Sequence, residues 1–159
     1  MKVISLFGSA NKGKTGTLRY LIDDLLKNGA TLIDPQVLSV EGDVRCCIRT
    51  TQNGLIVITT SGDDLANQIE NKRYVKRFQN VDVWITAARN YGGSVDAIWD
   101  PSIFPVNEVM WVKKIVYNPT FKLYNANWNT YAQVEGKQII ENDQEICNLY
   151  DAKRILRLI

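Results

Sequence analysis

The hydrophobic positions fall into short runs separated by polar, glycine-containing stretches, and the period changes from one run to the next. Val3 to Phe7 is an apolar, partly β-branched run that predicts a buried strand. From Thr17 to Leu26 the spacing becomes helical, with Leu18, Leu21, Ile22, Leu25 and Leu26 on one stripe. Lys27-Asn28-Gly29 supplies a basic last turn and a capping glycine, while Arg19, Asp23, Asp24 and Lys27 form the solvated outer face.

Residues 30 to 34 predict a second short strand ended by Pro35, with Asp34 at its C-terminal end. That aspartate reads either as a turn former before proline or as a base or metal ligand at the edge where α/β sheets place their ligands. Residues 43 to 50 alternate as a strand does, and Gln52-Asn53-Gly54 before Leu55 to Thr59 is a hairpin signal, because Asn-Gly tolerates the positive φ of a tight turn. An antiparallel ribbon is expected, with 55 to 60 as its better buried arm. Cys46 and Cys47 should point to opposite faces as small packing residues.

A helix follows from about 63 to 79, expected to bury Leu65, Ile69, Val75 and Phe78 and to expose Lys72, Arg73, Lys76 and Arg77. Val81 to Ala88 is another strand, running into Arg89-Asn90-Tyr91-Gly92-Gly93 and a helix from Ser94 that Pro101 and Pro105 cut short. Residues 108 to 117 give the last core strand. An aromatic and asparagine-rich excursion occupies 118 to 142, and 143 to 159 form an amphipathic helix expected to pack Ile146, Leu149, Ile155 and Leu158 on the sheet.

Strands alternating with helices over 159 residues predict one α/β domain spanning 1–159, a three-layer arrangement whose sheet is mostly parallel with one antiparallel ribbon arm. Nineteen basic against 17 acidic residues, net +2, is too balanced to dictate nucleic acid or membrane as a partner. The chain has no histidine and three cysteines, which excludes Cys/His zinc sites and Ser-His or Cys-His catalytic bases. The opening Met-Lys-Val-Ile-Ser-Leu-Phe is too short for a signal core and no apolar run reaches membrane-spanning length, so a cytoplasmic protein with reduced cysteines is expected.

The chemistry concentrates between the first strand and the first helix. Gly8-Ser9-Ala10-Asn11-Lys12-Gly13-Lys14-Thr15 has a glycine, four residues of any kind, then Gly-Lys-Thr. Gly8 and Gly13 would allow left-handed backbone angles that turn N–H groups inward around an anion, and the helix N-terminus adds partial positive charge. This stretch resembles the Walker A loop of the P-loop NTPase superfamily, specifically over residues 1 to 28 and only architecturally beyond. The resemblance implies a nucleotide cradle formed by Gly8, Ser9, Ala10, Asn11, Lys12, Gly13, Lys14, Thr15 and Gly16. Lys14 would reach the terminal phosphates and the Thr15 hydroxyl would take a position on Mg²⁺. Dimerising members of the partition type carry a lysine directly after the first glycine; Ser9 stands there, so that subfamily does not fit.

Many members place a Mg²⁺-associated aspartate at the end of a strand where this chain has Thr59, and Asp63 is the candidate replacement as metal ligand and catalytic carboxylate. Asp63 can equally favour the positive end of the following helix, with Ser61 and Asp64 as a capping box. Arg89 is the candidate second cation on the nucleotide, stabilising charge in phosphoryl transfer, or else an ion-pair partner of Asp96. The strand ending at Ala88 should lie beside the loop.

The expected function is Mg²⁺-dependent nucleoside triphosphate binding with slow hydrolysis. ATP is favoured over GTP because no Asn-Lys-x-Asp guanine-reading motif occurs. The alternatives are a nucleotide-dependent switch or a small-molecule or nucleotide kinase, though no arginine-rich lid is evident. A switch would contact a protein or nucleic-acid partner through aromatics 117–131 or the basic 72–77 surface.

Overall fold

In the computed structural model, residues 1–9, 12–37, 42–115 and 136–159 are described, with the backbone alone for 136–143. Strand β1 spans Lys2–Phe7, helix α1 Lys14–Lys27, β2 Thr31–Val37, β3 Val44–Arg49, β4 Leu55–Thr59 and α2 Leu65–Lys76. They are followed by β5 Val81–Ala88, α3 Gly93–Trp99, β6 Val109–Lys113 and α4 Gly136–Leu156. Ala10, Asn11 and the aromatic stretch 117–131 lie outside the described residues.

The strands form one six-stranded sheet in the order β2-β3-β4-β5-β1-β6. β1 is parallel to both β5 and β6, β4 is parallel to β5, and β3 is antiparallel to both of its neighbours. The mixed sheet with one ribbon arm is therefore as expected, and β3 is its one reversed strand. The turn of that ribbon puts Asn53 at φ 66°, the positive angle its sequence anticipates.

Both faces are covered, which explains why the central strands read as continuous apolar runs rather than as alternations. Alternate residues of each strand go to opposite layers. Ile4, Leu6, Cys46, Ile58 and Ile85 meet Leu18, Leu21, Leu25 and Ile155 on the α1/α4 side. Val3, Cys47, Val57 and Trp84 meet Tyr74, Val75 and Ile98 on the α2/α3 side. Cys46 and Cys47 separate onto the two faces, and burial pushes the Cys46 thiol up to about 12, so it packs rather than reacts. Among the described residues no helix is long and apolar enough to cross a membrane.

Three expectations are corrected. β2 does not stop at Pro35 but runs to Val37, with Pro35 opposite Cys46. It is the edge strand, where a missing N–H costs no ladder bond. Helix α2 buries Val75 and packs Phe78 on the core as anticipated, but its first turns are set differently from expectation. Leu65 is 50% exposed while Gln68, Asn71 and Lys72 are buried, because this helix turns polar groups toward backbone carbonyls at the strand ends. Helix α4 buries Ile155 as anticipated, and Leu158 beyond its end packs on the same core, but Ile146 and Leu149 are exposed while Asn148, Asp151 and Ala152 face inward. A helix of 12 or 21 residues keeps its period throughout, so the apolar pattern alone did not fix which further residues are buried.

The setting of α2 breaks up the supposed basic face. Lys72 is 1% exposed, its ammonium donating to the carbonyls of Ile98 and Asp100 and lying 4.8 Å from the Phe104 ring centroid. Burial pulls its pKa below the ordinary lysine value, with nearby Asp100 partly opposing that shift. Arg73 pairs with Glu70, and Arg77 with Asp34 at 3.1 Å. Lys72→Ala should therefore cost about 2–3 kcal/mol through lost packing and two carbonyls stripped of their donor. Lys76→Ala, on the exposed side, should stay within about 0.5 kcal/mol. Urea denaturation of the two variants checks this, since a surface role for Lys72 would make them equal.

Candidate functional site

The parallel alignment brings the C-terminal ends of β4, β5 and β1 to one edge of the sheet, with Thr59 opposite Thr86 and Phe7 opposite Ala88. Gly8 N–H donates to the Ala88 carbonyl at 3.2 Å, so the chain after β5 does lie beside the loop that follows β1. Because β3 runs the other way, its N-terminal end arrives at that same edge and delivers Asp43. A cleft of about 350 Å³ opens there, lined by residues that include Lys12, Lys14, Thr15, Asp43, Thr60 and Asp63.

Gly13 is the N-cap of α1 at φ 79°, ψ 20°, and Thr17 N–H donates to its carbonyl at 2.9 Å. Only a residue comfortable in the left-handed region can stand there. Gly8 differs from expectation: it has no positive φ, and what it provides is space, a Cβ there coming within 3.1 Å of the Lys114 Cβ. Gly16 likewise leaves room for Asn148, whose Nδ2 would lie 2.8 Å from an added Cβ. Helix α4 thus braces the loop from behind. Gln144 donates to the Lys12 carbonyl at 3.4 Å, and Thr17 to Asn148 at 3.3 Å.

Lys14 is 5% exposed, an unusual position for an ammonium. Its Nζ donates to the carbonyls of Gly8 at 3.1 Å and Ser9 at 2.9 Å, and lies 2.9 Å from Asp63 Oδ1. The other Asp63 oxygen is 3.3 Å from Arg89 Nη2. Lys14, Asp63 and Arg89, named from sequence on three separate segments, therefore meet in one ion cluster, and Arg89 reaches Asp63 rather than Asp96. Nearby, Asn90 donates to the Ser9 hydroxyl at 3.3 Å, joining the loop after β5 to the loop after β1.

The two readings of the 61–64 stretch are resolved by a division of labour. The helix cap is Asp64, whose carboxylate accepts from Asn67 N–H at 2.7 Å, which leaves Asp63 to the cleft; the Ser61 side of the anticipated capping box does not form. Asp63 reaches the cleft because the chain at Gly62 presses on β5. A Cβ at Gly62 would overlap the Ala87 carbonyl oxygen and stand 2.8 Å from its carbon. Gln68 and Asn71 satisfy the backbone there, Gln68 donating to Ala87 and Gly62 and Asn71 to Ser61.

Thr59, standing where an acid was sought, is fully buried. Its hydroxyl donates to Thr86 at 2.9 Å and accepts from the Trp84 indole at 3.1 Å, so it faces the interior and not the cleft. Asp34 is no part of the site either: it sits on edge strand β2 and pairs with Arg77.

Two features escaped the sequence reading. Asp43 accepts from the Thr15 hydroxyl at 2.9 Å and the Thr60 hydroxyl at 3.0 Å, and Val44 N–H donates to Thr60 Oγ1 at 2.8 Å. Its one signal was Gly42-Asp43 directly before an alternating strand. Behind the loop, Lys114 and Asp151 form a wholly buried pair at 2.8 Å, joined by Arg154 at 2.7 Å. The Asp151 carboxylate also accepts from Ile115 N–H, which fixes α4 to the end of β6.

The donor set suits an anion with a hard cation. Lys12, Lys14 and the helix N-terminus at Gly13 line the cleft, beside hydroxyl and carboxylate oxygens of the kind that bind Mg²⁺. Comparison of the chain with family models, curated proteins and solved structures finds no match, and the site is read from its own geometry.

Proposed function

We propose that the cleft binds a nucleoside triphosphate with Mg²⁺ and hydrolyses it slowly, as a P-loop NTPase would. The observation that carries this reading is the environment of Lys14. A buried ammonium at a helix N-terminus is balanced by the carboxylate of Asp63, an exchangeable anion on the cleft wall. A phosphate offers the same negative oxygens in greater number, so exchanging Asp63 for phosphate keeps Lys14 and Arg89 satisfied.

In this reading Lys14 binds the terminal phosphates, and Arg89 supports the negative charge that develops on them as the terminal phosphoryl group is transferred. Asp63, released from Lys14, orients the attacking water. The Thr15 hydroxyl is the loop's hard-oxygen donor for Mg²⁺, which supplies charge neutralisation between phosphates when bound. ATP is favoured over GTP, since the chain contains no Asn-Lys-x-Asp element.

A second reading, a switch whose nucleotide state controls a partner, is favoured by one specific observation. The strand-end position that would carry an acid is Thr59, fully buried with its hydroxyl committed to Thr86. Slow turnover would then set the lifetime of the bound state.

Isothermal titration with ATP, GTP and their diphosphates in Mg²⁺ tests the proposal, and no heat with any of the four would overturn it. Lys14→Ala should remove a charge-assisted contact of about 1.5–3 kcal/mol, raising the Kd about 10- to 100-fold. Asp63→Asn should leave nucleotide bound at least as tightly, because an internal competitor for Lys14 is gone, while hydrolysis falls about a hundredfold. Phosphate release at saturating nucleotide measures the second effect. Unchanged hydrolysis in Asp63→Asn would favour the switch reading, in which Asp63 only holds the loop.

A further inference from the structure

Asp63 stands between two cations. Lys14 Nζ is 2.9 Å from one of its oxygens and Arg89 Nη2 is 3.3 Å from the other. Both carboxylate oxygens of Asp63 are thus directed at cationic side chains, and neither is directed at the Thr15 hydroxyl. Thr15, whose hydroxyl stands at the start of α1, makes its hydrogen bond elsewhere, to Asp43.

We propose that Asp43, with the Thr15 hydroxyl, is the divalent-cation ligand of this cleft, a role filled from the reversed strand β3 in place of the acid that Thr59 does not supply. The proposal rests on the nucleotide reading above and assigns the metal within it. Thr15 Oγ1 and Asp43 Oδ1 are 2.9 Å apart. In an octahedral Mg²⁺ shell with bonds of about 2.0–2.1 Å, adjacent oxygens are about 2.9 Å apart. The two oxygens already have the spacing of neighbouring ligands, so the Thr15 hydroxyl needs only to turn its proton away.

The carboxylate is held in that place by groups that do not themselves need the metal. Thr60 donates to Asp43 Oδ1 at 3.0 Å and is fixed in turn by Val44 N–H at 2.8 Å. Thr60 N–H donates back to the Val44 carbonyl at 2.9 Å. On the other side the turn into Asp43 is made by Gly42 at φ 87°, where an added Cβ would overlap the Arg19 guanidinium. Preorganised oxygens of this sort lower the cost of dehydrating and seating a small hard cation. Lys12 lines the same cleft, so its charge and that of Lys14 leave room for an acidic ligand without an excess of negative charge.

The test uses the full-length chain with Mn²⁺ as probe, free Mn²⁺ being read by its electron paramagnetic resonance signal during titration of the nucleotide complex. Nucleotide affinity in EDTA is measured in parallel. Asp43→Asn should weaken Mn²⁺ binding by about ten- to a hundredfold, with metal-free nucleotide affinity unchanged; Asp63→Asn should leave Mn²⁺ affinity at the wild-type value. Equal Mn²⁺ affinity in wild type and Asp43→Asn, or a loss carried by Asp63→Asn instead, overturns the assignment while leaving the nucleotide reading intact. Failure of the wild type to bind nucleotide with or without metal overturns both. If Asp43→Asn melts below the assay temperature, Asp43→Cys decides: a thiolate prefers soft ions, so Cd²⁺ should be strengthened relative to Mn²⁺ if position 43 touches the metal. An unchanged Cd²⁺ to Mn²⁺ ratio overturns the proposal.

Discussion

An ammonium group taken out of water must be surrounded by oxygen, and the burial of Lys14 organises much of what lies around it. Two of its partners, the carbonyls of Gly8 and Ser9, come from its own loop, while the third, Asp63, has to be brought from beyond β4. That requires the chain at Gly62 to press against Ala87 more closely than any side chain would allow. The close approach leaves strand-end carbonyls in need of donors, and Gln68 and Asn71 supply them. Helix α2 therefore turns a polar edge inward, and its leucine at position 65 is left in solvent. One buried charge thus sets the first turns of a helix whose hydrophobic pattern there pointed elsewhere.

The opposite layer answers to a related demand. Lys114 lies directly under Gly8 and is itself wholly buried, so α4 must present Asp151 to it, and Arg154 completes the charge balance. With Asp151 facing inward, Asn148 one turn earlier falls against Gly13 and Gly16. A buried ion pair of this kind contributes little net stability compared with well-packed apolar residues. What it does fix is position: α4, β6 and the loop are locked in one register, and the back of the loop is closed. The front remains open to the cleft.

The direction of one strand decides which acids share that cleft. In a sheet otherwise parallel, the N-terminal end of β3 is, among the described residues, the only strand start at the edge where β1, β4 and β5 finish. Asp43 and Asp63 consequently flank the loop from two sides, one on Thr15 and the other on Lys14 and Arg89. Hydroxyl and ammonium are thus served by different carboxylates. Thr59, at the end of β4, is spent on an interior hydroxyl chain with Thr86 and Gln68.

Local chemistry was legible in the sequence. The strand–loop–helix unit of residues 1 to 28, the Asn53 turn and the split of Cys46 and Cys47 between faces follow from spacing and residue type within a few turns of chain, while the candidacy of Lys14, Asp63 and Arg89 is what the resemblance carried by residues 8 to 15 implied. Tertiary structure decided what depends on neighbours far apart in sequence: which further residues of α2 and α4 are buried, the removal of Lys72 from the surface, the assignment of Asp64 rather than Ser61 as the N-cap, and the arrival of Asp43 at Thr15. The physical reason is common to all of these. A periodic pattern states that a helix has two faces, but satisfying a buried charge or carbonyl selects which further residues turn inward, and those groups are brought together only when the strands pair.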